Sequence, residues 1–189
     1  KKNITVLDSI SYNEKDQDFS AIVTRIENLD PDVIFLGGYY TDSGLLIKQA
    51  RQKGVMATGI GSVSVYSPKL VEVGGKEVEG TLLLAPFLAT SPLPEVQEFV
   101  EKYIDEYGVE PDSYAALAYD QIYVICDAVK RAMEQNNGEL TRETLNDAIR
   151  DTNYNGVTGT VNFNELGNWV RPFLPTIVRD GKFYLYEGN

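Results

Sequence analysis

The sequence predicts an α/β protein: a parallel, doubly wound sheet first, then helices that do not continue it, then antiparallel strands at the carboxy end. Three observations lead there. Short apolar runs at 4–7, 33–36, 57–61 and 81–85 alternate with helix-length segments, the pattern of βαβ units. Three helical segments follow one another between 94 and 150 with no strand between them. Asp180-Gly181 separates two apolar runs and reads as a hairpin turn.

Ile4-Thr5-Val6-Leu7 reads as the first strand, with Asp8 at its end and a polar loop over 9–17. Phe19, Ile22, Val23, Ile26 and Leu29 recur at helical spacing behind Asp18, a capping residue, and Asp30-Pro31-Asp32 stops that helix. Val33-Ile34-Phe35-Leu36 is wholly apolar, as expected of a strand buried on both faces. Gly37-Gly38-Tyr39-Tyr40 turns the chain, Thr41 or Asp42 caps a helix over 42–53, and Gly54 ends it. A strand over 57–61 leads through a serine-rich loop into a short helix from Pro68, broken by Gly74-Gly75, and 81–85 is a further buried strand.

The pattern changes at Pro86. Val96, Phe99, Val100, Tyr103, Ile104 and Tyr107 line one face of a helix that Gly108 stops. Pro111 and Asp112 open a long helix, Ser113–Gln135, apolar round much of its surface and so expected to be extensively buried. Thr141 caps a third helix, Arg142–Arg150. Residues 156–163 read as one strand, 164–168 as a turn, and 173–178 and 183–186 as the final hairpin.

A chain of 189 residues suffices for one domain or two small ones. The net charge of −11 argues against nucleic acid and anionic membrane surfaces as partners. No apolar run is long enough to span a membrane as a helix, and the amino end carries no leader pattern. The single cysteine, Cys126, excludes an internal disulfide; it lies in an apolar helical run and is expected to be a buried, inert thiol. There is no histidine, which removes His-based triads and His-containing zinc sites.

Little in the sequence points to catalysis. Gly59-Ile60-Gly61-Ser62 is not a nucleophile elbow, and Gly37-Gly38 does not continue into a phosphate-binding loop. Asp8, Asp16, Asp18 and Asp42 could form a carboxylate cluster, but caps and solvated loops account for them. No enzyme activity, cofactor or metal is expected. Tyr39 and Tyr40 stand where a strand gives way to a loop, and ligands of open α/β sheets bind outside the carboxyl ends of the strands. Ser62 and Ser64, after the next strand, offer ligand hydrogen bonds or simply hold the turn. Tyr114, at the start of the long helix, reads as a core residue.

Several segments together resemble the branched-chain amino acid class of periplasmic solute-binding proteins, the type I receptors of ABC importers. These are Asp18-Phe19-Ser20 with Pro31-Asp32-Val33-Ile34-Phe35; Gly37-Gly38-Tyr39 with Lys48-Gln49-Ala50-Arg51 and Gly54; Ala118-Tyr119-Asp120; and Gly156-x-x-Gly159 with Phe163-Asn164-x-x-Gly167. The resemblance implies a two-lobed fold closing on a ligand by hinge motion. Residues 1–86 would belong to the second lobe and 87–153 to the first as helices, with 154–189 returning to the second. The first lobe's sheet, and the first strand and helix of the second lobe, have no counterpart here. The chain is therefore expected to be the carboxy-terminal half of a longer protein, with the amino-terminal half as a partner.

The resemblance also implies a site. Tyr39 would lie beside the ligand and Tyr114 would line its side-chain pocket. The carboxylate that pairs with an amino-acid ammonium would fall at Val63, between Ser62 and Ser64, a departure from the pattern. The implied partners are a small amino-acid-like ligand and an ABC permease. The implied location is extracytoplasmic, in the periplasm or as a lipoprotein on the outer face of the membrane, after signal-dependent export. A ligand sensor of the amide-responsive kind is the alternative on the same fold, and a flavodoxin-like enzyme using carboxylates is a weaker one.

Overall fold

The computed structural model describes residues 4–14, 16–170 and 173–188. In chain order its elements are α1 (Ser20–Leu29), β1 (Val33–Leu36), α2 (Tyr40–Gln52), β2 (Thr58–Gly61), α3 (Pro68–Gly74), β3 (Leu82–Ala85), α4 (Pro94–Tyr107), α5 (Ser113–Gln135), α6 (Arg142–Arg150), β4 (Asn153–Gly156), β5 (Gly159–Asn162), β6 (Leu174–Arg179) and β7 (Lys182–Leu185). Two compact units result. One holds the chain up to Ala85 and again from Pro175; the other is Pro86–Leu174. The chain thus rejoins the first unit at Pro175.

In the first unit a five-stranded sheet runs in the order β1-β2-β3-β6-β7. The first three strands are parallel, with Phe35 level with Ile60 and Ile60 with Leu82. β6 and β7 pair antiparallel. Ile34, Leu36, Leu83, Ala85, Val178 and Phe183 are buried on one face. That face receives α2, whose Ile47 fills the space a side chain at Gly59 would need, 3.1 Å from an added Cβ.

The other face corrects the expectation of strands buried on both sides. Phe35 is 70% exposed, and Val33 and Leu84 are largely exposed. Successive right-handed crossovers that advance across a sheet in one direction put their helices on the same side, so α2 and α3 leave this side open. A second correction concerns residues 4–7, which form no strand: Ile4 is 85% and Val6 78% exposed. Apolar alternation makes a strand only where a neighbouring edge completes its hydrogen bonds.

The helix after β1 also starts earlier than expected. Tyr39 is its N-cap, and Asp42 lies buried in the first turn instead of capping. Asp18 does act at its helix, accepting the Ser20 N–H at 2.9 Å, which holds its carboxyl below the usual range.

The Lys48-Gln49-Ala50-Arg51 segment is a clasp. The Gln49 amide accepts from Phe19 N–H (2.8 Å) and donates to the Gln17 carbonyl (2.7 Å), tying α2 to the start of α1. Arg51 donates to the carbonyls of Val55 (2.5 Å) and Ala57 (2.9 Å), and Lys48 to that of Val73 (3.2 Å). At the far end the Glu79 carboxylate accepts the N–H groups of Asp180 and Gly181 (2.9 and 2.8 Å), whose positive φ values make the tight hairpin turn.

The second unit is mainly helical. Pro94 opens α4 and Gly108, left-handed at φ 70°, closes it. Asp112 caps α5 through the Ala115 N–H, and Thr141 and Thr144 form a capping box on α6. Phe99 packs against Phe87 and Tyr119 at centroid distances of 5.8 and 4.7 Å. Ala128, Ala132 and Ala148 let α5 and α6 approach closely. Extensive burial of α5 is not observed: Ile122, Ile125 and Cys126 are exposed along one side, so Cys126 is not the buried thiol expected.

Residues 156–163 are also not one strand. The chain reverses at Val157-Thr158, and β4 pairs with β5. Asp120, 1% exposed on α5, causes this by accepting both N–H groups of that turn (2.9 and 2.8 Å) and the Thr158 hydroxyl. Gly156 is required because an added Cβ would fall on the Asp120 carboxylate.

Two substitutions test these clasps by urea unfolding. Gln49→Ala is expected to cost about 1 kcal/mol for one part-buried and one exposed hydrogen bond. Asp120→Ala strands the buried Val157 N–H and the part-buried Thr158 N–H and is expected to cost about 3 kcal/mol, with loss of the β4–β5 hairpin by NMR.

Candidate functional site

Parallel strands bring their carboxyl ends to one edge of the sheet, so the loops after β1 and β2 are neighbours. Gly37-Gly38-Tyr39 follows β1; Ser62 and a 3-10 turn, Val63–Val65, follow β2. The loops are tied together. The Ser62 N–H donates to the Leu36 carbonyl (3.1 Å) and the Ser64 hydroxyl to the Gly38 carbonyl (2.7 Å), while the Ser62 and Ser64 hydroxyls lie 2.7 Å apart.

Ser64 is thus a bracing group whose proton is committed to the neighbouring turn. Tyr39 is 55% exposed; its backbone starts α2, with its carbonyl accepting from Ser43 N–H at 3.0 Å. The side chain plays no part in the cap. Val63 is half-buried and offers apolar surface without charge.

A residue that the sequence reading passed over stands behind this crest. Tyr12, inside the supposedly polar loop, meets Phe19 edge-on at 5.2 Å, and its hydroxyl fills the space over Gly38. Burial, then the negative charge of Asp42, push its phenol above the usual value. Its one signal in the sequence was an aromatic ring among polar neighbours, which has a reason only if the ring packs.

Tyr114 lies in the second unit, in the first turn of α5, and is 49% exposed. The expectation of a core residue fails because α5 buries Ser113 and Ala116 there instead. The structure therefore brings Tyr39, Ser62, Val63 and Ser64 together on one crest and places Tyr114 on the other unit.

The carboxylates considered for catalysis have structural duties. Asp8 pairs with Arg25 (2.5 Å), Asp16 accepts the Asn13 N–H (2.9 Å), and Asp18 holds the start of α1. Among the described residues no group of histidine, cysteine or carboxylate side chains could hold a metal ion.

Two concavities lie elsewhere. One of 430 Å³, bordered by Asp30, Asp32, Lys53 and Met56, is at the amino ends of β1 and β2. The other, 220 Å³, is in the second unit between Glu98, Tyr119, Tyr123 and Tyr154; there the hydrogen bond to the Tyr123 hydroxyl, with burial, pushes the Tyr119 phenol up to about 12. Neither includes the Tyr39 crest.

Comparison with known proteins gives this crest its context. A family profile described as periplasmic binding protein matches residues 1–180. Leu/Ile/Val-binding protein homolog 1 of Brucella suis is 28% identical over 95% of the chain, which covers 47% of that protein. The crystal structure of the leucine-binding protein LivK of Thermotoga maritima superposes with a TM-score of 0.80 at 34% identity, covering 93% of this chain and 49% of LivK. LivJ of Streptococcus pneumoniae, solved in complex with isoleucine, gives a TM-score of 0.79 at 26% identity, covering 91% of this chain and 48% of LivJ. The chain spans about half the length of the relatives it matches. Its fold is that of type I periplasmic binding proteins, with parallel and antiparallel strands in one sheet. The chain belongs to the periplasmic binding protein family.

Proposed function

We propose that this chain is the carboxy-terminal half of an extracytoplasmic solute-binding protein that serves an ABC importer. In this reading it is not an enzyme: it holds a small polar ligand, an amino acid or a related compound, and closes on it by hinge motion. The observation that carries the reading is Tyr39, a large exposed ring with a polar tip, braced on the carboxyl crest of a parallel sheet in a member of a binding-protein family. The names of LivK and of the isoleucine-bound LivJ support an amino-acid-like ligand.

Residues 1–86 and 154–189 are assigned to the second lobe, and the helices of 87–153 to the first. Tyr39, Ser62, Val63 and Ser64 form one wall of the site, and Tyr114 contributes from the first lobe. Val63 narrows the ligand. A buried ammonium needs a carboxylate, and this position supplies none, so the charge is met from the other half of the protein or the ligand lacks it. The permease recognises the closed form on the outer side of the membrane, where the protein is either periplasmic or lipid-anchored.

A thermal-shift panel on the full-length protein, with amino acids, amides, short carboxylates and aromatic acids, tests the reading. A true ligand at a hundred times its Kd adds about 2.7 kcal/mol and raises Tm. Tyr39→Ala is expected to weaken the best hit about tenfold or more. Undiminished binding by this variant removes Tyr39 from the site, and turnover of the ligand overturns the noncatalytic reading.

A further inference from the structure

The 220 Å³ concavity of the second unit is built by three elements. Glu95, Glu98 and Lys102 come from one face of α4, at three- and four-residue spacing. Tyr119 and Tyr123, four residues apart on α5, and Tyr154 of β4 supply three rings. Phe99 and Val157, which also line it, are buried. No residue of the Tyr39 crest takes part.

The rings form a connected set. Tyr119 and Tyr123 have centroids 4.8 Å apart at 48°, with their hydroxyls 3.4 Å apart. Tyr123 and Tyr154 lie almost parallel, at 12° and 6.3 Å. Rings so inclined offer faces as well as edges to a group seated among them. The face of a neutral aromatic ring is the negative pole of its quadrupole and attracts cations. The phenols stay neutral. The hydrogen bond to Tyr123, then burial, with Glu98 a smaller contributor, raise that of Tyr119. Burial, then the charge of Asp120, raise that of Tyr154. Glu95 and Glu98 add full negative charge, from which an uncharged ligand gains nothing.

The kind of cation follows from size and hydration. Among the described residues no group of side chains could hold a metal ion. The volume is below the roughly 300 Å³ at which ordinary small-molecule pockets begin, so the ligand is small. A primary ammonium is strongly hydrated and does best against a carboxylate in water. Lys102 already does this, with its Nζ 2.6 Å from Glu98. A methylated ammonium spreads the same charge over apolar groups and gains by leaving water for ring faces.

We infer that this concavity binds a small methylated ammonium group among the rings of Tyr119, Tyr123 and Tyr154, with Glu98 as its counter-charge. Lys102 holds Glu98 until the ligand arrives. Both side chains are about two-thirds exposed, 69% and 67%, so their pair is weak and Lys102 swings clear at little cost. Lys102 is thus a competitor of the ligand. The inference stands apart from the Tyr39 crest and does not depend on the function proposed for it.

Calorimetric titration of the full-length protein with choline is the test, with its neutral isostere 3,3-dimethylbutan-1-ol as control. Choline is expected to bind at least about tenfold more tightly than the isostere. Glu98→Gln and Tyr123→Leu should each weaken choline about fivefold or more, and Lys102→Ala should tighten it about threefold. All three positions are exposed, so the variants keep the fold. Absence of choline binding overturns the inference. Equal binding of the isostere makes the concavity an apolar pocket and also overturns it, as does choline binding undiminished by both Glu98→Gln and Tyr123→Leu. Weaker binding by Lys102→Ala does so too. Phosphatidylcholine vesicles present the same group as a lipid headgroup. Co-sedimentation with them, lost in Tyr123→Leu, makes a lipid the source; choline binding without co-sedimentation makes it a free solute, and either result supports the site.

Discussion

Two parallel strands cannot be joined by a hairpin, because the chain must travel back along a face of the sheet before it can start again. That constraint organises the first unit. It puts α2 and α3 on one face and gathers the carboxyl ends of β1 and β2 at one edge. It also leaves Phe35 and Leu84 bare on the other face. Glycines in β2 make the covered face workable: Ile47 of α2 sits where Gly59 has no side chain.

The site crest is a product of that scaffold. Ser64, Gly38 and Tyr12 hold two loops at a fixed separation, and Gln49 and Arg51 fix α2 from below. Tyr39 stands outside this network with its ring exposed. The backbone position of Tyr39 is thereby set before its side chain meets anything. Hydroxyls that look available in the sequence are mostly spent on the brace.

The second unit depends on one buried carboxylate in a comparable way. Asp120 takes no part in the crest, yet it holds the reversal between β4 and β5 with three hydrogen bonds from inside α5. The short motifs that mark this chain as a relative of solute-binding proteins are in large part such clasps. Lys48-Gln49-Ala50-Arg51, Asp120 and Gly156 all secure backbone. Family likeness at these positions therefore reports the fold.

Periodicity alone determined the alternation of helices and strands from Ser20 to Ala85, the three helices from Pro94 and the Asp180-Gly181 hairpin, because each follows from local spacing and turn chemistry. That the turns at Tyr39 and at residues 62–64 are neighbours was also legible, since adjacent parallel strands bring their carboxyl ends to one edge. Tertiary structure alone decided the rest. Tyr12 gains its place only by packing over Gly38, a neighbour 26 residues away in the chain. The single strand expected at 156–163 becomes a reversal because a carboxylate 37 residues distant binds its turn. Residues 4–7 read as a strand and are not one, and Phe35 reads as buried and is not. Alternation of side chains records which face is apolar; whether that face or edge is covered depends on a partner surface, which no local pattern encodes.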